Sequence, residues 1–463
     1  MRDIARRLEG AGFPTFAVGG AVRDALLGLP AQDWDLATRA RPQEVRRLFR
    51  RTVPIGIEHG TVGVHGKDGV LYEVTTFRRD VETFGRHATV EFADSIEDDL
   101  SRRDFTINAL AWDPATGELR DPYGGLDDLA AGVLRTVGGA EERFAEDYLR
   151  VLRALRFAGQ FRLRIDGDSW SALTGATPQL ALLSAERVRE ELLKVLSKSR
   201  CASAALSLYA ASGVLGALYP ELERLVEMAA EVGSGSGLGS GSGGDDVWAL
   251  TLRAVDVIPP SRPLLRLAAL LHATGMPAAR TRDLRGGWRY TGHEQAGARV
   301  AQELLRRLKA SNAEIERVGQ LVRHQSDLFP PDSRSPVVRR WMLAVGRDLL
   351  DDLWRLRFAL ARARDPANAA LPPDLLERWR MARFIRRQHP PLSVAELDID
   401  GGDLKELGLR PGPRFGEILR ALLEQVLDDP ALNTREKLLD LARQIVDVSG
   451  NVDVQPQPRP RRP

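Results

Sequence analysis

The stretch Gly19-Gly20-Ala21-Val22-Arg23-Asp24, followed by Asp33-Trp34-Asp35, decides how this chain is read. It comes directly after Phe13 to Val18, a short run expected to be a β-strand. Two glycines at the end of a strand let the backbone approach a triphosphate with no Cβ in the way. Arg23 then falls on the following helix, where a guanidinium can grip phosphate oxygens. Asp33 and Asp35 are spaced i, i+2, so on a strand both carboxylates share one face. Convergent carboxylates hold Mg²⁺, and paired ions activate a hydroxyl and stabilise a leaving pyrophosphate. Gly19, Gly20 and Arg23 are therefore candidate nucleotide-binding residues, and Asp33 and Asp35 candidate catalytic and metal-ligating residues. Asp-x-Asp alone is most often a pair of solvated loop residues; the Gly-Gly and Arg upstream give it weight. Glu73, in Tyr72-Glu73-Val74-Thr75-Thr76, has two readings. It is either the third carboxylate of the catalytic set or an outward residue of an alternating strand.

A chain of 463 residues exceeds one hydrophobic core, so several domains are expected. Its 43% hydrophobic and 28% charged residues suit a soluble protein. The single cysteine, Cys201, excludes a disulfide framework or thiolate cluster and fits a reducing cytoplasm. Met1 to Glu9 is charged and amphipathic, without a signal-peptide core, and no apolar run approaches roughly 18 residues. A net charge of +2 neither demands nor excludes a nucleic-acid partner. Arginine suits bidentate phosphate contacts, but a general Ala, Leu, Arg and Gly bias explains its abundance equally well. Gly60–His65 and Leu71–Thr76 read as strands, and Pro42–Phe49 and Asp104–Ala111 as helices. Beyond about residue 138 the periodicity is helical, clearest over Phe144–Phe157, Ala185–Leu196 and Leu264–Leu271. Gly233 to Gly244 is a flexible low-complexity insertion, and Gln455 to Pro463 a disordered Pro/Arg-rich end.

Further motifs widen the picture. Ser101-Arg102-Arg103-Asp104-Phe105-Thr106-Ile107-Asn108-Ala109, Asp121-Pro122-Tyr123-Gly124-Gly125, Glu146-Asp147-Tyr148-Leu149-Arg150 and Glu186-Arg187-Val188-Arg189-Glu190-Glu191-Leu192 follow the Asp pair in that order. With Gly19-Gly20 and Asp33-x-Asp35, they resemble the class II tRNA nucleotidyltransferases and bacterial poly(A) polymerases of the polymerase β superfamily. The resemblance implies a polymerase β-like α+β head, a small mixed sheet with helices, followed by an all-α neck, body and tail. It gives Arg103 a part in binding the incoming nucleotide and makes Asp147 and Arg150 the selectors of the base. Standing i, i+3 on a helix, those two would share one face, an acceptor beside a donor that mimics a Watson–Crick edge. Arg153 and Arg156 continue that face and join the candidate nucleotide-binding set; a solvated arginine stripe is the plainer reading. The implied domains are a head (1–137), a neck (138–200), a body (201–390), a tail (391–449) and a disordered end (450–463).

Three stretches discriminate within the family. Pro54 to Val62 resembles the tRNA enzymes, and the basic stretch of poly(A) polymerases is absent. Arg78 to Glu91 looks like an intact flexible loop, which favours full CCA addition or addition of the terminal A alone. Gly408 to Glu436 resembles the tail that contacts the tRNA elbow. Leu267 to Gly275 departs from a related subset: His272 is followed by Ala273 where an HD phosphohydrolase domain has Asp. His272, His293 and His324 without that carboxylate make a poor metal set, and rescue by Asp283 or Asp327 is the lesser reading. The expected function is therefore a Mg²⁺-dependent nucleotidyltransferase acting on tRNA with ATP and CTP in the cytoplasm, with no membrane or protein partner. The alternatives are a poly(A) polymerase, a catalytically inactive RNA-binding homologue, and a phosphohydrolase working through the middle region.

Overall fold

The computed structural model describes residues 1–31, 33–84, 87–234, 247–284, 288–367 and 370–448. Most of the Gly/Ser insertion (233–244), all of the Pro/Arg-rich end (450–463), and residues 85 and 86 of the expected loop lie outside these. The chain divides into two compact units. The first takes residues 1–227 with the short segments 259–263 and 306–310, so the expected head and neck fall together in it. The second takes the described residues of 228–258, 264–305 and 311 onward.

The first unit is built on strands β1 (Thr15–Val18), β2 (Asp35–Thr38), β3 (Thr52–Gly56), β4 (Thr61–His65) and β5 (Leu71–Thr76). After them come β6 (Arg78–Phe84), β7 (His87–Phe92), β8 (Ala111–Trp112) and β9 (Leu119–Arg120). The sheet order is β3-β4-β5-β2-β1-β8-β9, with β2 and β5 parallel and the other neighbours antiparallel. β1 begins only after Pro14, which has no N–H to donate, although its carbonyl accepts from the Arg39 N–H at 3.1 Å. Successive residues alternate between two buried faces. Ala17, Leu36, Val62 and Val74 pack against Ile4 and Leu8 of helix α1 (Arg2–Gly10). Val18 and Ala37 pack against Ile96 and Leu100 of a later helix, Ile96–Ser101. Each such fully buried Leu or Ile contributes about 1.5–3 kcal/mol.

Helix α2 (Gly20–Leu26) leaves the sheet directly from β1. Helix α3 (Pro42–Leu48) opens with proline, and Glu44 accepts from the Arg41 N–H at 2.7 Å. Helices α4 (Ile96–Ser101) and α5 (Gly125–Ala131) follow in the same unit. It continues with α6 (Ala140–Glu146), α7 (Leu149–Phe161), α8 (Gly167–Ala176) and α9 (Ala185–Lys198).

Three expectations are corrected. Asp104–Ala111 is not a helix: it holds a single 3₁₀ turn, Thr106–Asn108, and then enters β8. Its backbone bonds run to a distant segment instead: the Thr106 N–H donates to the Arg135 carbonyl at 3.0 Å, and the Asp104 carbonyl accepts from the Val137 N–H at 3.2 Å. Asp104 accepts from the Phe105 N–H and Asn108 Nδ2, and Thr106 Oγ1 donates to Asp128 at 2.6 Å. The run 144–157 is helical but broken, because Asp147 adopts φ −155°, ψ 104° between α6 and α7. Within Arg78 to Glu91, the described residues are not loop but the antiparallel strands β6 and β7.

The second unit is helical. Its members include Val247–Val257, Asn312–His324, Ser335–Val345, Leu350–Arg364, Pro373–Arg387 and Pro413–Asp428. Residues 265–271 are all buried, and Arg266 is accommodated there by donating Nε to the Ile258 carbonyl at 2.7 Å. No described helix is long and apolar enough to cross a membrane.

Candidate active site

A cleft of about 560 Å³ opens where β1, β2 and β5 end, roofed by the segment after α4 and by the α6–α7 break. Its volume suits a nucleotide. Gly19 starts it in a left-handed conformation, φ +75°, and a Cβ there would stand 2.7 Å from Arg103 Nη1. At Gly20 a Cβ would meet only the Arg23 side chain at 3.4 Å, so the close approach demands glycine at the first position alone.

Arg23 borders the cleft but is buried, and does not reach out as expected. Its Nε and Nη2 donate to Asp24 at 2.9 and 2.6 Å, and its Nη1 donates to Asn108 Oδ1 at 2.5 Å. Its guanidinium also lies 4.4 Å from the Phe161 ring centroid. Burial lowers its pKa against the pull of Asp24. It braces the turn that carries Asn108.

Val18 pairs with Asp35 across β1 and β2, and Leu36 pairs with Val74 across β2 and β5. One step back along that parallel register brings Glu73 beside Asp35. The outward face of the alternating strand is thus the cleft face, and Glu73 lines the cleft from it. Asp33 lies in the loop before β2 rather than on the strand, and is exposed. Asp35 keeps access to water along the cleft, yet protein crowds its carboxyl. Burial first, then the charges of Glu73 and Asp33, push its pKa up to about 6 against the opposing Arg103.

Among the described residues, no three His, Cys, Asp or Glu side chains are gathered as a ready-made metal cage. Mg²⁺ is commonly held by one or two carboxylates together with water and substrate phosphates. An all-oxygen set whose like charges repel one another fits that ion.

Arginines close the roof. Arg103 is tied by Nη2 to Asp99 Oδ2 at 3.2 Å, and Arg102 to Asp99 Oδ1 at 3.1 Å. Burial would raise the Asp99 pKa, but Arg102, Arg103 and Arg78 outweigh it and hold the carboxyl low. Arg153 pairs with buried Asp104 at 2.6 Å, which keeps that carboxyl low despite its burial. Arg156 turns away from the cleft lining and donates Nε to buried Glu191 on α9 at 2.7 Å. The expected single stripe is therefore divided between cleft and core.

Asp147 and Arg150 both line the cleft, but not as neighbours on one helix. Asp147 stands in the break, with Arg187 of α9 donating to both of its oxygens at 3.1 and 2.6 Å. Arg150 stands in the first turn of α7 and pairs with Glu146. Asp99, Asn108 and Arg187 were not singled out from sequence. Asn108 and Arg187 each lie inside a quoted motif, which did not say what their side chains meet, and Asp99 lies in none.

In the second unit, His272 is buried beside fully buried Ala273, and burial pushes its pKa down to about 4. Its Nδ1 lies 2.9 Å from the Ala269 carbonyl, and His293 Nδ1 lies 2.8 Å from that of Tyr290. Both rings are engaged with backbone on one nitrogen. Asp283 faces Arg289 at 3.6 Å, and Asp327 is 3.4 Å from His324.

Residues 15–135 match the family model for the poly A polymerase head domain. Residues 162–225 match a probable RNA- and SrmB-binding site of polymerase A, and 291–442 a putative tRNA nucleotidyltransferase domain 2. The chain is 33% identical to the CCA-adding enzyme of Lactiplantibacillus plantarum over 456 residues, 96% of each chain. It is 42% identical to that of Geobacillus kaustophilus over 265 residues, 57% of this chain and 64% of that enzyme. Among solved structures, the Bacillus stearothermophilus CCA-adding enzyme in complex with CTP superposes with a TM-score of 0.72 at 28% identity, covering 97% of both chains.

Proposed function

The chain belongs to the class II tRNA nucleotidyltransferase and bacterial poly(A) polymerase family, and we propose from that premise that it builds the CCA end of tRNA from CTP and ATP without a template. It is a nucleotidyltransferase, and the relatives it matches over 96% of their length, from Lactiplantibacillus plantarum and Leuconostoc mesenteroides, are CCA-adding enzymes. The observation that carries the reading is that Asp147 and Arg150, a base-sized acceptor and donor, share one cleft with Asp35 and Glu73.

Each residue then has a task. Asp33 and Asp35 would hold Mg²⁺ at the start of β2, with Glu73 beside Asp35. Bound there, the ion supplies positive charge that eases ionisation of the RNA 3′-hydroxyl and offsets charge on the departing pyrophosphate. The backbone at Gly19 and the start of α2 lies open to the triphosphate, and Arg103 faces its oxygens. Arg23 and Arg156 hold this frame from behind. Asp147 accepts from the exocyclic amine of cytosine or adenine, and Arg150 donates to the ring nitrogen. The head (1–137), neck (138–200) and body (201–390) precede a tail (391–449) that contacts the elbow of the tRNA, and the setting is the cytoplasm.

The test is base selection. Wild-type protein given tRNA ending at its discriminator base and all four nucleotides is expected to add C first. Asp147→Ala should lose that preference about tenfold or more, as for a polar contact worth about 1.5 kcal/mol, while still incorporating. If the variant kept the wild-type order, base choice would lie elsewhere.

A further inference from the structure

We infer that Arg187 is a specificity-determining positioning residue: by holding both oxygens of Asp147, it fixes how much hydrogen-bonding capacity the base-reading pair offers. This rests on the reading of Asp147 and Arg150 given above.

An ionised carboxylate has about four acceptor positions. Asp147 Oδ1 accepts from Arg187 Nη1 at 3.1 Å and from the Leu149 N–H at 3.1 Å, and Oδ2 accepts from Arg187 Nη2 at 2.6 Å. Among the described residues one acceptor position is left, on Oδ2. Arg150 has five N–H donors. Its Nη1 donates to the Arg143 carbonyl at 2.9 Å and to Glu146, and its Nη2 to the Arg102 carbonyl at 3.2 Å. Nε and one Nη2 hydrogen remain.

The residual pattern is one acceptor and two donors. Cytosine presents one amino donor and two acceptors, N3 and O2; adenine presents one amino donor and one acceptor, N1. Uracil and guanine each place a carbonyl oxygen where Asp147 offers only a lone pair, which repels it. Without Arg187 the Asp147 side chain gains rotational freedom and two further open acceptor positions, so the match to C and A loosens. The bidentate fork is what restricts it, and a lysine supplies only a point charge.

The plainer role for Arg187 is to tie α9 to the α6–α7 break. The two roles separate in a double-mutant cycle on the full-length protein. CMP and UMP incorporation into tRNA lacking CCA is measured as kcat and KM for wild type, Arg187→Ala, Arg187→Lys, Asp147→Ala and the Arg187→Ala/Asp147→Ala pair. Arg187→Ala should reduce the CTP-over-UTP ratio of kcat/KM by about tenfold, and Arg187→Lys should recover part of it. In the Asp147→Ala background, adding Arg187→Ala should change that ratio by less than about twofold. If Arg187→Ala unfolds the chain, the Lys variant carries the same comparison. The inference is overturned if the variants keep wild-type selectivity. An equal loss for both nucleotides overturns it too, as does an unchanged effect of Arg187→Ala when Asp147 is absent. Failure of wild type to add CMP at all would instead sink the proposed function.

Discussion

At Asp35 the protein holds a carboxyl whose pKa is pushed up to about 6, first by burial and then by Glu73 and Asp33. The folded state binds this proton more tightly than the unfolded chain, where Asp titrates near 3.9. Its contribution to stability is therefore present at low pH and falls away as pH rises through about 6. Removing the charge by Asp35→Asn should leave the protein as stable at pH 7.5 or more so, by about 1 kcal/mol after solvent screening. Incorporation should fall about a hundredfold or more. Mg²⁺ should raise the thermal midpoint of wild type but much less that of the variant, because ligand binding stabilises only the state that binds. An equal Mg²⁺ response in both would contradict the assignment. Gly19 is legible in sequence because a glycine pair at a strand end marks a close backbone approach, whereas Glu73 kept two readings and comes beside Asp35 only through the pairing of β2 with β5. Arg187 is not legible, since its partner Asp147 lies 40 residues away and no local pattern announces the pair. Nor could spacing tell that Arg23 would meet Asn108 and Phe161.

Helices α7 and α9 are joined by the Arg156–Glu191 pair, whose side chains are only 8% and 1% exposed. Lys194 gives Glu191 a second, more exposed partner at 2.9 Å. Arg156→Met leaves Glu191 buried with that lysine alone, and breaking a buried pair costs about 3–5 kcal/mol. The denaturation midpoint should drop accordingly, while the CTP-over-UTP ratio of the folded protein stays within about twofold of wild type, measured on the same samples. Altered selectivity at unchanged stability would put Arg156 back in the cleft. Strand existence was readable at this scale, because alternation and β-branched residues mark Thr61–His65 and Leu71–Thr76. Periodicity overreached at 104–111, where Thr106 bonds to Asp128 and to the Arg135 carbonyl, and Asn108 bonds to Asp104 and Arg23. It also ran through Asp147, where an ion pair from α9 supports the break. Both are tertiary effects acting on segments that look locally helical.

Over the whole chain, 66 basic and 64 acidic residues nearly cancel, so the net charge of +2 says little about an RNA partner. The arrangement says more. Arg23, Arg78, Arg102, Arg103, Arg150, Arg153 and Arg187 converge on one cleft, with acidic residues beneath several of them. Order of motifs made the α+β head and the helical remainder legible. The division into two compact units was not, because it depends on short segments, 259–263 and 306–310, that return to the first unit from far along the chain. The central claim is that this molecule completes tRNA. The most direct measurement offers purified protein three tRNA substrates, ending at the discriminator base, at C and at CC, with labelled CTP and ATP. The products are then sized at single-nucleotide resolution. Each substrate is expected to be extended only as far as CCA, with CMP entering before AMP. Addition of AMP to the CC substrate alone, or growth of a long A tract, would contradict it.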